Sequence, residues 1–310
     1  MRFFTMALLA LMACKDKSSD DTAAAVDDSG TDDSGATDDT AEEETYGVFS
    51  DFINTTEAAT GDFTCYTGTW ITETVDSNCL WTVPITEGET EDFASGNKVP
   101  GALVEAFHSD AVSGTADLSV TADEDGLFTG DYPVCLPVTV KTSIADGSIM
   151  DTVEQHTIHG IGDGVHVTAL SVDEGTWLTI PSLFGVPIDD DKGVIAGQAH
   201  DCNEDVIVGA QVVVVDSAGN IPGDERIGYT AGGIPNRSLT ATSDDGVWIA
   251  MNLPPGKYTA EMYVSDGAGG QTLVGSAPVE AFALSVTIAS VLYGRTSGYD
   301  LPDSCLGCSD

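Results

Sequence analysis

Residues 240–264 read TATSDDGVWIAMNLPPGKYTAEMYV, and the order of signals in this stretch decides the fold. Asp245-Gly246 supplies a backbone able to take positive φ, the strongest short-range mark of a β-hairpin. The apolar run after it, Val247 to Leu253, ends at Pro254-Pro255-Gly256, where proline has no amide hydrogen to give a neighbouring strand. Alternation then resumes, with Tyr258, Ala260, Met262 and Val264 predicted on one face. Short alternating runs bounded by turn chemistry predict a meander of strands and hence a β-sandwich.

A second, fainter version lies upstream. "VPGALVEAF" (99–107) parallels "IVGAQVVVV" (207–215), "LSVTADEDGLF" (118–128) parallels "LTATSDDGVWI" (239–249), and "PVTVK" (137–141) parallels "KYTAE" (257–261). The offset grows from 108 to 120, so the second version carries a longer loop, near "AGNIPGDERIGYTAGGIPN". Shared order and shared turn residues indicate internal duplication. Within the second version, "VIVGAQVVVVD" (206–216) predicts one central strand.

These motifs resemble the carboxypeptidase regulatory-like family. Residues 193–195 (Gly-Val-Ile), 209–212 (Gly-Ala-Gln-Val), Thr242 to Trp248 and Leu253 to Tyr258 match its four usual marks, with Trp248 where phenylalanine is usual. The first version keeps residues 101–104 (Gly-Ala-Leu-Val) and Thr121 to Phe128, but has Cys135 and Pro137 in place of Pro-Pro-Gly. The resemblance covers roughly 200 of the 310 residues. It implies an all-β chain of two tandem transthyretin-like or Ig-like β-sandwiches, and a scaffold module that is usually not catalytic. It also implies a kinship with starch-binding-like sandwiches, which makes a carbohydrate-binding module the alternative function.

The N-terminal "MRFFTMALLALMAC" has one early cation and about ten apolar residues, too few to span a bilayer, where roughly 20 are needed. Its "LMAC" ending resembles a bacterial lipobox and implies lipid attachment at Cys14. Residues 15–45 hold twelve Asp and Glu, two Lys, no aromatic residue and repeated "DDSG" units, the composition of a disordered, extended acidic linker. Lys15, following the cysteine, suits an outer membrane or cell surface. The chain therefore divides into a lipoprotein signal (1–14), an acidic linker (15–47), a first sandwich (48–168), a short helical connector (169–190), a second sandwich (191–296) and a cysteine-containing tail (297–310). A formal net charge of −41 excludes nucleic acid as a partner and leaves the membrane, an envelope protein or a glycan.

With Cys14 set aside, Cys65, Cys79, Cys135, Cys202, Cys305 and Cys308 form an even set in an exported chain and read as up to three disulfides. Cys65 with Cys79 would close a short loop, and Cys202 would tie down the "SCLGC" tail. Zinc at Cys305 and Cys308 would need two more ligands, and no second CxxC exists.

The connector is expected to be capped by Ser171 with Glu174 and to present Trp177, Ile180 and Phe184 as an apolar stripe that Pro181 breaks or kinks. One histidine cluster occurs: His156, His159 and His166 in "QHTIHGIGDGVH", with His156 and His166 placed to face one another across a hairpin. A metal-dependent hydrolase on these three is a second alternative. His108 and His200 stand alone. Trp70 and Trp81 are candidates for a sugar-stacking platform, although core burial explains them more simply. No phosphate loop, nucleophile elbow or dinucleotide fingerprint occurs, and the acids of "ADEDG" and "ATSDDG" are not spaced as a calcium loop. The expectation is a non-enzymatic envelope module without cofactor, catalytic residue or metal.

Overall fold

A computed structural model describes residues 58–64, 81–108, 112, 114–157, 159, 164–203, 205–222, 226–268, 270–289 and 291–292. The signal segment, Cys14, the acidic linker, Cys65, Trp70, Cys79 and the tail with Cys305 and Cys308 lie outside the described residues. The chain is mostly β, with one helix among the described residues.

The strands of the first half are β1 (Trp81–Asp92), β2 (Leu103–Phe107), β3 (Leu118–Thr121), β4 (Leu127–Phe128), β5 (Asp131–Val134), β6 (Val138–Ser143), β7 (Ile149–Thr157) and β8 (Val165–Asp173). Helix α1 (Glu174–Phe184) follows. The second half holds β9 (Gly193–His200), β10 (Ala210–Val215), β11 (Arg226–Ala231), β12 (Ile234–Pro235), β13 (Val247–Leu253), β14 (Gly256–Ser265), β15 (Gln271–Ala281), β16 (Ser285–Ile288) and β17 (Val291–Leu292).

In the first half, β3, β2, β6 and β7 are neighbours in that order, while β1 pairs with β4, β5 and, in parallel, β8. Residues from both groups bury one cluster, which includes Val104, Phe128, Tyr132, Val140 and Val167. In the second half, β10, β14 and β15 form one sheet. The other runs β12, β11, β13, β9, β16, with β16 and β17 both parallel to β9. Trp248, Val212, Met262 and Ile195 share the second cluster. Tyr258 packs against that cluster, Ala260, Met262 and Val264 belong to it, and Trp248 is fully buried, as the alternation predicts.

The two halves repeat one another at the level of single hydrogen bonds. Val104 lies opposite Thr142 and Ala106 opposite Val140; at the offsets read from the sequence, Val212 lies opposite Met262 and Val214 opposite Ala260. The Gly101 amide donates to Ala122 and the Gly209 amide to Thr242. The Gly126 amide donates to Asp123 at 3.0 Å, and the Gly246 amide to Ser243 at 3.1 Å. Gly126 and Gly246 have φ of 75° and 65°, a conformation that leaves glycine as the residue of choice. The equivalence reaches further upstream than the sequence reading carried it. The Asp92 amide donates to Asn97 as the Asp201 amide donates to Asp205, and Gly88 faces Phe128 as Gly197 faces Trp248.

Four expectations are corrected. The Asp245-Gly246 turn closes no hairpin: β13 beyond it pairs with β11 and β9, while β12 before it pairs with β11. The 210–215 strand is not central: among the described strands it pairs with β14 alone, although all six residues are buried. Helix α1 is capped by Asp173, whose carboxylate accepts the Thr176 amide at 3.0 Å, because Ser171 belongs to β8 and bonds the Glu91 carbonyl instead. Pro181 does not end the helix, which runs on to Phe184 and stops at Gly185 in the left-handed region. Pro181 is buried, and the packing of Trp177 and Phe184 with Val194, Ile249 and Val286 holds that last turn despite the missing amide.

The halves also share a sheet. β16 pairs in parallel with β9 on one side and with β7 of the first half on the other, Ser285 to Ile288 lying opposite Asp151 to Glu154.

Candidate functional site

The strand at the seam, β7, is where the first half departs from the second. Its ladder with β6 carries a bulge: Val138 faces Thr157 and Val140 faces Glu154, so Gln155 and His156 together oppose one residue. In the second half the corresponding rungs are Tyr258 with Val279 and Ala260 with Ala277, with no extra residue between them. The insertion is polar, and each of its residues reaches outside its own ladder. The Glu154 carboxylate accepts the Leu170 amide of β8 at 2.8 Å. The Gln155 side-chain oxygen accepts the Glu280 amide of β15 at 2.9 Å. His156, buried and held at φ 65°, brings its Nε2 to the Pro278 carbonyl. Gln155 and His156 thus clasp the edge of the second half's three-stranded sheet.

Glu154 has a structural reason to point where it does. β7 and β8 are antiparallel but pair only at Ile149 with Asp173 and Met150 with Val172. Beyond that point two side chains of β7 replace the ladder: Thr152 Oγ1 accepts the Val172 amide at 3.1 Å and Glu154 accepts that of Leu170. As a residue Glu154 is half-buried, but its carboxyl is enclosed. Desolvation pushes its pKa up to about 7, against the lowering effect of the Leu170 amide.

Two further groups nearby are perturbed. Tyr132 is fully buried; desolvation raises its phenol, the Thr157 hydroxyl 3.3 Å away opposes the rise, and the charge of Glu154 adds to it. His159 stands edge-on to the Tyr132 ring at 5.2 Å. Its pKa is lowered by desolvation first and by the charge of His166 second. Tyr132 links the three groups, through the charge of Glu154 and the ring of His159.

The three histidines singled out by sequence do not converge. His156 is turned by the bulge toward β15, His159 lies under Tyr132, and His166 is exposed, with Nε2 3.4 Å from Glu89 and Nδ1 3.9 Å from Glu87. The facing pair expected across the hairpin is therefore not formed. Among the described residues no three His, Cys, Asp or Glu side chains gather in a way that would hold a metal. His108 is paired with Asp117 at 2.9 Å, and His200 with the Gln198 side chain at 3.0 Å. Cys135 and Cys202 are each disulfide-bonded. Trp81 opens β1 with its backbone opposite Val134. The turn acids serve backbone: Asp123 Oδ1 accepts the Asp125 and Leu127 amides, and Asp245 accepts the Thr230 hydroxyl and the Gly233 amide.

No family model matches this chain. No curated protein matches it either. Several solved structures are similar to it, three of them as follows. One is the Bacillus anthracis TIE protein, at 16% identity and TM-score 0.24, covering 68% of this chain and 34% of that one. The shaft pilin SpaA of Lactobacillus rhamnosus GG is 11% identical at TM-score 0.23, with 69% and 97% covered. BcpA, the major pilin subunit of Bacillus cereus, is 10% identical at TM-score 0.24, with 69% and 100% covered. This chain spans about a third of the TIE protein's length. Among the described residues no helix is long and apolar enough to cross a membrane.

Sequence reasoning found His156 but for another role, and it missed Glu154 and Gln155. The available signal was the repeat itself. Carried past residue 141, the alignment sets polar Glu154-Gln155-His156 against apolar Ala277-Pro278 and requires one extra residue in the first copy.

Proposed function

We propose that this chain is an exported lipoprotein, anchored through Cys14 and held off the membrane by its acidic linker, whose folded part is two copies of one transthyretin-like sandwich acting as a non-enzymatic structural module at the cell surface. The observation that carries this reading is where the chemistry-bearing residues are spent. Turn acids bond amides, His156 bonds a carbonyl, and the most perturbed acid, Glu154, is enclosed and committed to the Leu170 amide. Such a molecule offers stiffness and surface rather than a reaction centre. Disulfides at Cys135 and Cys202 accord with an oxidising compartment.

The test is fractionation of cells expressing the full chain or Cys14→Ser. The wild type is expected in the membrane fraction and open to protease on intact cells, and the variant in the soluble fraction. Unchanged membrane retention of Cys14→Ser would overturn the anchoring. Resistance of the wild type to external protease would overturn the surface placement.

A further inference from the structure

The clasp has a part that the sandwich does without. Position 154 in the second copy is Ala277, fully buried and opposite Ala260, so the repeated fold needs no acid there. In the first copy the same position sits between three elements. Its backbone lies opposite Val140 of β6 and Ile288 of β16, and its carboxyl holds β8 through Leu170. The next two residues hold β15. A displacement of Glu154 is therefore passed directly to β6, β8 and β16, and through its two neighbours to β15.

We propose that Glu154 is a proton-operated latch on this seam: protonated, it stays enclosed and the halves are clasped, and ionised, it draws water into the splayed end of β7 and β8 and loosens β7 from β15 and β16. The charged groups around it do not compensate the ionised form. β5 offers Tyr132, whose phenol is held neutral by burial and by that charge and so supplies no counter-ion. On β6, Lys141 is spent on Asp151 at 2.8 Å. β8 carries His166 at one end, turned to Glu89, and Asp173 at the other, bonded to Thr176. β15 carries Glu280, whose amide is on Gln155, and β1 places Glu91 opposite Leu170 on the far side of β8. From β7 itself, His156 points to Pro278; His159 lies under Tyr132, and β16 has no titratable residue. Among the described residues the Leu170 amide is what stabilises the anion, and desolvation outweighs it.

The test is amide hydrogen exchange of the full chain at pH 5.5 and pH 8.5, corrected for intrinsic rates, with the Leu170 and Glu280 amides as reporters and Val213 as a core reference. If opening restores the ordinary 4.5 to a group near 7 when closed, the opening constant at the reporters rises about 30-fold between the two pH values. Protection at Val213 should not change, and Glu154→Gln should hold Leu170 and Glu280 at their acid-side protection throughout. Equal pH dependence in wild type and Glu154→Gln, or none in the wild type, would overturn the latch. Carbon-detected titration of the Glu154 carboxyl in the wild type gives a second reading should the variant fail to fold. A midpoint near 7 is expected, and one near 4.5 would overturn the proposal. Neither measurement depends on where the protein is anchored.

Discussion

Thr142 and Met262 occupy one position in two copies: the first lies opposite Val104 across β2 and β6, the second opposite Val212 across β10 and β14. Both are fully buried or nearly so, but the Thr142 hydroxyl finds no partner among the described residues, whereas Met262 brings no polar atom that needs one. A buried hydroxyl without a hydrogen bond costs about 1–3 kcal/mol. Thr142→Val keeps the shape and removes that group. It is expected to raise stability by about 1 kcal/mol in denaturant unfolding, with an unchanged slope. A loss of stability would mean that the hydroxyl is satisfied.

Stability should also fall as pH rises through the weakly acidic range. Glu154 binds its proton up to about 7 in the folded chain and only to the ordinary 4.5 when unfolded. The folded state therefore holds more protons between those values. Its contribution is fully present below 4.5 and lost by about 7, on the order of 3 kcal/mol at most. Asp173 and Asp201 act in the opposite sense. Desolvation would raise both, but the Thr176 hydroxyl and amide prevail at Asp173, and the amides of Asp62, Asn203 and Asp205 prevail at Asp201. Their stabilisation is lost only as pH falls below the ordinary 3.8. Unfolding followed by fluorescence should give a stability maximum at about pH 4, between the ordinary values of the Asp and Glu groups, in the wild type. Glu154→Gln should remove the fall on the alkaline side, and an unaltered fall in that variant would assign it to other groups.

Much of the fold is legible locally because turns and alternation are local. Gly126 and Gly246 mark turns at positive φ, although β4 and β13 beyond them pair with β1 and with β11 and β9 rather than folding back on the strand before, and Tyr258, Ala260, Met262 and Val264 keep their face. What is not legible is pairing between remote edges. Ser285 to Ile288 read as an ordinary short strand, and nothing in their pattern says that the neighbour is Asp151 to Glu154. The clasp was hidden for a related reason. A bulge shows as an extra residue only once both ladders are known, and Gln155 and His156 look like an exposed polar step until Glu280 and Pro278 are beside them.

The helix start rests on Asp173 rather than on Ser171, the cap expected from the sequence. Asp173 accepts the Thr176 amide and hydroxyl, and its own amide donates to Asp92 at 3.2 Å. Asp173→Ala should cost about 1 kcal/mol through the lost cap. Ser171→Ala removes only a 3.2 Å bond to the Glu91 carbonyl, and should leave the protection of the α1 amides as it is. Loss of α1 protection on Ser171→Ala, with none on Asp173→Ala, would restore the capping box.

A strand shared by two copies should also make them unfold as one. β16 closes the sheet of the second half on β9 and that of the first half on β7, so neither half can melt without exposing an edge of the other. Calorimetry of the wild type is expected to give a single transition. Gln155→Ala combined with His156→Gly removes the clasp on β15 while relieving the backbone held at φ 65°, so destabilisation in that variant reports the lost side-chain contacts rather than new strain. The parallel pairing of β7 with β16 is then the main strand link left at the seam, and the transition should broaden or divide in two. Two transitions already present in the wild type would mean that the shared strand couples the copies too weakly to matter. A variant as cooperative as the wild type would place the coupling in β16 and the face of α1 instead, where Trp177 and Phe184 pack beside Val286.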